Sequence, residues 1–248
     1  MTDSPPPAAR FQVPRRRRVY LMRHGSVDYF TEDGRPLPPH TVPLNETGRR
    51  QADAAGALFA AAGVRFDQVV VSGLARTVET AGRVLAAAGQ KAALVEERRF
   101  EEIRPGRLED LPRDALEAAF TGVFSMSPDI ESHRFLGGES IGELLDRCLP
   151  AFAERLADPS WNCALWVLHG GVNRALIGQA LFGARFFAGR LEQSPACINV
   201  LDVGEAPDPT GLPDIVVRST NLAPTQWLHE RERYTTMEKL LAQYLRMA

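Results

Sequence analysis

From Val19 onward, short apolar runs alternate with segments whose apolar residues recur every three or four positions, the pattern of strands and amphipathic helices laid down in turn. Strands are predicted at Val19–Met22, Gln68–Ser72, Ala92–Val95, Ala164–Leu168, Cys197–Val203 and Ile215–Arg218. Between the first two, Asn45 stands where a helix cap belongs, ahead of Ala52, Ala55, Leu58 and Phe59 on one helical face. Helical spacing returns at Thr77–Ala88, Ile141–Leu156 and Val172–Leu181. Pro150, inside the third of these, removes a backbone donor and predicts a kink. Gly204–Pro213 reads as a loop, and Glu230–Met247 carries Met237, Leu240, Leu241, Tyr244 and Leu245 as the apolar stripe of a terminal helix. Alternation of this kind predicts an α/β fold, a three-layer α/β/α sandwich around a mostly parallel sheet.

Composition narrows the picture. A chain of 248 residues, 44% hydrophobic and 24% charged, can bury one sizeable core, so residues 19–248 are expected to form a single domain. The formal net charge of −2 offers no global reason for binding nucleic acid or a membrane. Residues 1–18 stand apart: Pro5, Pro6 and Pro7 disfavour helix, and the arginines that include the Arg15–Arg18 run make a basic segment, expected to be a flexible tail. Cys148, Cys163 and Cys197 fit neither a disulfide framework nor a zinc pattern. With no signal-like apolar run and no stretch of membrane-span length, the expected location is cytoplasmic.

Candidate chemistry sits at the ends of predicted strands, where open α/β sheets place their ligands. In VYLMRHGS the strand ends in Arg23, His24 and Gly25, and a planar guanidinium beside a flexible glycine suits a bound anion. VVVSGLARTVETA repeats the arrangement, presenting Arg76 near a helix start, where free N–H groups also favour anions. CALWVLHGG puts His169 and two glycines at a third strand end. Each alone is consistent with a structural turn or a surface arginine. Two His-Gly strand ends in one sheet make coincidence a poor account.

These segments resemble the histidine phosphatase superfamily, whose hallmark is an RHG triplet after the first strand. LNETGRRQA at Leu44–Ala52, SGLARTVETA, EIRPGRLED, the GGES of Gly137–Ser140 and LHGGVNR are similar to its further segments, in the same order. The resemblance implies a phosphoglycerate-mutase-like fold and a metal-independent, cofactor-free histidine acid-type phosphatase acting on a small phosphorylated metabolite through a phosphohistidine on His24. It further implies that Arg23, Gly25, Ser26, Arg76, His169 and Gly170 line the phosphate site. Glu102, four positions before Gly106, matches the family's proton donor, and Glu101 misses that register by one. A neutral imidazole is a competent nucleophile at neutral pH and leaves well from phosphorus.

The run Gly25-Ser26-Val27-Asp28-Tyr29 departs from the family, since Val27 replaces an expected hydroxyl and an inward Asp28 would repel phosphate. Residues 111–136 are shorter than the lid of cofactor-dependent mutases, which favours hydrolysis. A cap at about 111–137 carries Phe120, Phe124, His133, Arg134 and Phe135; its phenylalanines either contact an apolar leaving group or simply pack the cap. His40 and His229 read as surface residues. The alternatives are a phosphoglycerate-type mutase and a non-catalytic phospho-ligand binder, the latter having no use for Glu102. The terminal helix, about 230–247, packs on its own domain or pairs two chains as a homodimer.

Overall fold

The computed structural model describes residues 15–31, 33, 35–207, 213–230 and 233–247. Six strands, β1 (Arg16–Arg23), β2 (Gln68–Val71), β3 (Leu94–Glu96), β4 (Cys163–Leu168), β5 (Ile198–Pro207) and β6 (Pro213–Leu222), form one sheet in the order β3-β2-β4-β1-β5-β6. The first four run parallel to one another, β5 runs antiparallel to β1, and β6 antiparallel to β5. Alternate side chains of β4 show why both faces must be covered: Trp166 and Leu168 enter one apolar cluster, Leu165 and Val167 the other.

Helices α1 (Glu46–Ala61) and α2 (Ala75–Ala87) supply the second cluster, and α3 (Ile141–Ala157) and α4 (Gly170–Phe182) the first. Asn45 caps α1 as expected, its side chain accepting from the Gly48 amide at 2.8 Å. A capping box between Ser140 and Glu143 opens α3, which continues through Pro150 as one helix.

The strand prediction needs correction at its basic end. β1 begins at Arg16, so Arg16–Arg18 belong to the sheet and not to a tail; residues 1–14 lie outside the described residues. The reason is local pairing. Arg18 meets Asp202, its register partner on β5, through two hydrogen bonds of 2.7 and 3.0 Å, and the Arg17 guanidinium lies 4.1 Å from the Trp161 ring centre. Both ends of the expected Gly204–Pro213 loop are likewise strand, with 208–212 outside the described residues.

Between β3 and α3 the chain makes short helical turns that form the cap. Its Leu116, Phe120 and Leu136 join Leu241 of α5 (Thr236–Met247) in a small third core, with Tyr244 stacked on Phe120. α5 starts at Thr236, later than the expected Glu230 and just ahead of the apolar stripe, where Thr235 and Glu238 exchange capping hydrogen bonds of 3.2 and 2.6 Å. Among the described residues, no helix is long and apolar enough to cross a membrane.

Candidate active site

Three neighbouring parallel strands, β2, β4 and β1, end at one edge, and the chemistry gathers there. Arg23 pairs in register with Leu168, and the His24 amide bonds the Leu168 carbonyl at 3.0 Å, which brings the end of β1 beside His169 at the end of β4. The two imidazoles lie 5.2 Å apart, centre to centre, and only 1% and 0% of their surfaces are exposed. Arg76, in the first turn of α2, donates from Nε to His24 Nε2 at 3.2 Å. His24, Arg76 and His169 thus converge as expected.

Hydrogen bonding assigns the tautomer of His24. Its Nδ1 lies 2.7 Å from the Gly25 carbonyl, an acceptor only, so Nδ1 carries the proton and Nε2 the lone pair. Burial, then the nearby Arg76 and Arg23 charges, holds His24 well below the usual imidazole range. His169 is depressed the same way, by burial first and then by Arg76, His24 and Arg23. Both rings are therefore neutral at neutral pH. Ser72 occupies Nε2 of His169 at 2.8 Å and leaves its Nδ1 without a protein partner.

Glu102 comes from the loop after β3, and its side chain sits against the start of α4. The Gly171 amide donates to both carboxyl oxygens, at 3.1 and 3.2 Å. A side chain at 171 would forbid this, since an added Cβ would lie 2.6 Å from Glu102 Oε1. Arg147 of α3 fixes the loop from behind, donating to the carbonyls of Arg99, Glu101 and Glu102 while paired with Glu139. Glu102 borders the cavity described next; Glu101 does not.

That cavity, a chamber of about 330 Å³, is bordered by Arg23, Arg76, Glu102 and Gly170 and by Phe120, Phe124 and Phe135 of the cap, while His24 borders a second cavity that shares Arg23 with the first. His133 and Arg134 stay out of it, engaged with Ser127 and Glu143 respectively. The phenylalanines pack the cap, with contacts among Phe120, Phe124, Phe135, Tyr244 and Phe187, and they also border the chamber. His40 is exposed at the chamber border, and His229 is half-buried with Nε2 3.0 Å from the Asn221 carbonyl.

Gly25 and Ser26 also hold the fold together beside His24. The Gly25 amide donates to Thr80, and an added Cβ would lie 2.5 Å from the Gly48 carbonyl, so this glycine admits α1 against β1. The Ser26 amide is taken by Gln51, and both residues border the second cavity beside Arg23 and His24. Asp28 is exposed, accepts from Asn45 at 2.9 Å and borders the second cavity. Val27 packs against the α1–α2 core.

Two participants were missed from sequence. Arg174, 7% exposed, borders the chamber, stacks over Phe124 at 4.9 Å and pairs with Glu192. Burial lowers its guanidinium below the ordinary arginine range. Its Nη1 would lie 3.2 Å from a Cβ on Gly170, and Arg23 Nε 3.5 Å, so both guanidinium groups flank Gly170. The readable signal was its position one helical turn after Gly170. Thr236 of α5 accepts from Arg23 at 3.1 Å and donates to Glu192 at 3.0 Å, a contact no local pattern announces.

Fold and site together define the class: an α/β protein with two buried histidines and two arginines at the carboxyl ends of neighbouring parallel strands. The chain belongs to the histidine phosphatase superfamily (branch 1), whose family profile matches residues 19–207. It is 30% identical to a probable phosphoglycerate mutase of Salmonella paratyphi A over 76% of this chain and 86% of that one. It is also 30% identical to an acid phosphatase of Mycobacterium tuberculosis, over 66% and 75% respectively. Among solved structures, mycobacterial hydrolase 1 superposes with a TM-score of 0.67 at 24% identity, covering 84% of this chain and 99% of that one. A mycobacterial glucosyl-3-phosphoglycerate phosphatase gives 0.62 at 24% identity, with 84% and 99% covered.

Proposed function

We propose that the protein is a phosphomonoesterase that hydrolyses its substrate through a phosphohistidine on Nε2 of His24. The observation that carries this reading is the neutral, tautomer-fixed imidazole of His24, set against Arg76 and beside Arg23, two arginines that border a chamber together with the carboxyl group of Glu102. Buried nitrogens without protein partners, Arg23 Nε, Arg174 Nε and His169 Nδ1, supply what an anion would satisfy. The acid phosphatase and glucosyl-3-phosphoglycerate phosphatase relatives support hydrolysis as the outcome.

In the first half-reaction the Nε2 lone pair attacks phosphorus while the ester P–O bond breaks and Glu102 gives its proton to the departing oxygen. Arg76 Nε, which caps Nε2, passes its hydrogen bond to a phosphoryl oxygen as phosphorus arrives. In the second, Glu102 takes a proton from water, the oxygen attacks phosphorus, the P–N bond breaks and inorganic phosphate leaves. Positioning and charge stabilisation by the guanidinium groups do most of the work, because phosphoryl transfer asks little else of a protein.

Brief reaction with p-nitrophenyl phosphate followed by quenching should yield acid-labile, base-stable phosphate on the wild type and none on His24→Ala. Label that persists in His24→Ala overturns the mechanism. Isomer formation from phosphoglycerate without phosphate release would assign a mutase, and binding without label or turnover a phospho-ligand binder.

A further inference from the structure

We propose that the ester this site takes carries an apolar group: an aryl or medium-chain alkyl phosphate. The inference rests on the phosphomonoesterase reading for the reaction, but the chamber itself carries the choice of substrate class. Carbon makes most of its wall. Leu37 of the loop after β1, Phe120, Phe124 and Phe135 of the cap, and Met237 and Leu240 of α5 line it beside Arg23, Arg76 and Glu102, with His40, Arg107 and Glu109 among the polar remainder. At about 330 Å³ the space suits a small organic ligand and exceeds what a phosphoryl group alone needs.

Of the other charges in the lining, Arg174 is held by Glu192 and Phe124 beside Gly170, and Arg107 and Glu109 face each other at 3.8 Å with most of their surface in water. A second phosphate, a carboxylate or sugar hydroxyls set against the phenylalanine and leucine side chains would lose water there without a compensating hydrogen bond. An alkyl or aryl group gains from every apolar contact it makes there.

The test is a chain-length series. For n-alkyl phosphates from ethyl to octyl, kcat/KM should rise about two- to fourfold per methylene until the chamber is full. Octyl and naphthyl phosphate should exceed glucose 6-phosphate and 3-phosphoglycerate by about a hundredfold. Leu37→Asn and Met237→Gln, in two different elements, should each cut the octyl-to-ethyl ratio of kcat/KM by about tenfold. Alkylphosphonates of the same lengths cannot be hydrolysed, and their Kd should fall in the same steps. A flat series in both measurements, or preference for the sugar phosphate or phosphoglycerate, overturns the proposal. Chain-length-dependent phosphonate binding with no hydrolysis of any ester would instead sink the phosphomonoesterase reading and leave the apolar chamber standing.

Discussion

Gly171 has no side chain because Glu102 stands where one would go, 2.6 Å from the position of a Cβ. Gly171→Ala should therefore displace the carboxyl group and lower turnover of alkyl phosphates by about 10²-fold, with a smaller loss on p-nitrophenyl phosphate, whose leaving group needs no proton. Steady-state rates on the two substrates decide it, and equal losses would count against Glu102 as the proton donor. Glu102→Gln should cost about 10²–10⁴-fold on the alkyl ester, whereas Glu101→Gln, outside the chamber, should cost less than threefold. Arg23, His24, Arg76 and His169 were legible because strand ends concentrate their chemistry into short runs. Arg174 and Thr236 were not, because the first looks like any helical arginine and the second reaches Arg23 only across the folded chain. Gly25 was legible as a glycine but not in purpose: its close neighbour, Gly48, lies in another element.

At the scale of elements, the loop bearing Glu102 has little regular structure of its own and depends on α3. Arg147 binds three consecutive stretches of that loop through the carbonyls of Arg99, Glu101 and Glu102, and its partner Glu139 accepts from the Arg104 amide. The pair is largely buried, at 15% and 8% exposure, so Arg147→Met would leave Glu139 uncompensated at a cost of about 3–5 kcal/mol. Thermal unfolding should register that loss, and kcat of the surviving folded fraction should fall at least tenfold. Arg147→Lys, which restores the charge without the fork, should recover stability more than rate. Element existence was readable from periodicity throughout; element ends were decided by partners out of sight. Asp202 and Trp161 draw Arg16–Arg18 into β1, and the Thr235–Glu238 cap delays α5.

For the molecule as a whole, His24 and His169 are two imidazoles kept neutral by burial among arginines. Their folded pKa values lie below the unfolded value of about 6.5, so below that pH the unfolded chain binds protons that the folded one refuses. Stability from this source is complete above about pH 6.5 and declines as pH falls towards the depressed folded values, by up to about 1.4 kcal/mol per pH unit for each histidine. Unfolding midpoints taken from pH 7 to pH 5 should drop more steeply for wild type than for a His24→Gln, His169→Gln double variant; parallel curves would contradict the assignment. The same depression keeps the His24 nucleophile available in mildly acidic solution, so kcat/KM should show no acid limb near pH 6.5 from this residue.

The family match ends at residue 207, yet β6 lies beyond it and covers the whole outer side of β5. A chain cut back to the matched residues would lose more than the α5 wall of its chamber. It would expose the edge of β5, where Val200, Leu201 and Val203 now pair with β6, as a ladder of unsatisfied amides and carbonyls. Such an edge recruits strands from other molecules. The shortened protein should therefore precipitate as intermolecular sheet, which makes β6 a guard against self-association.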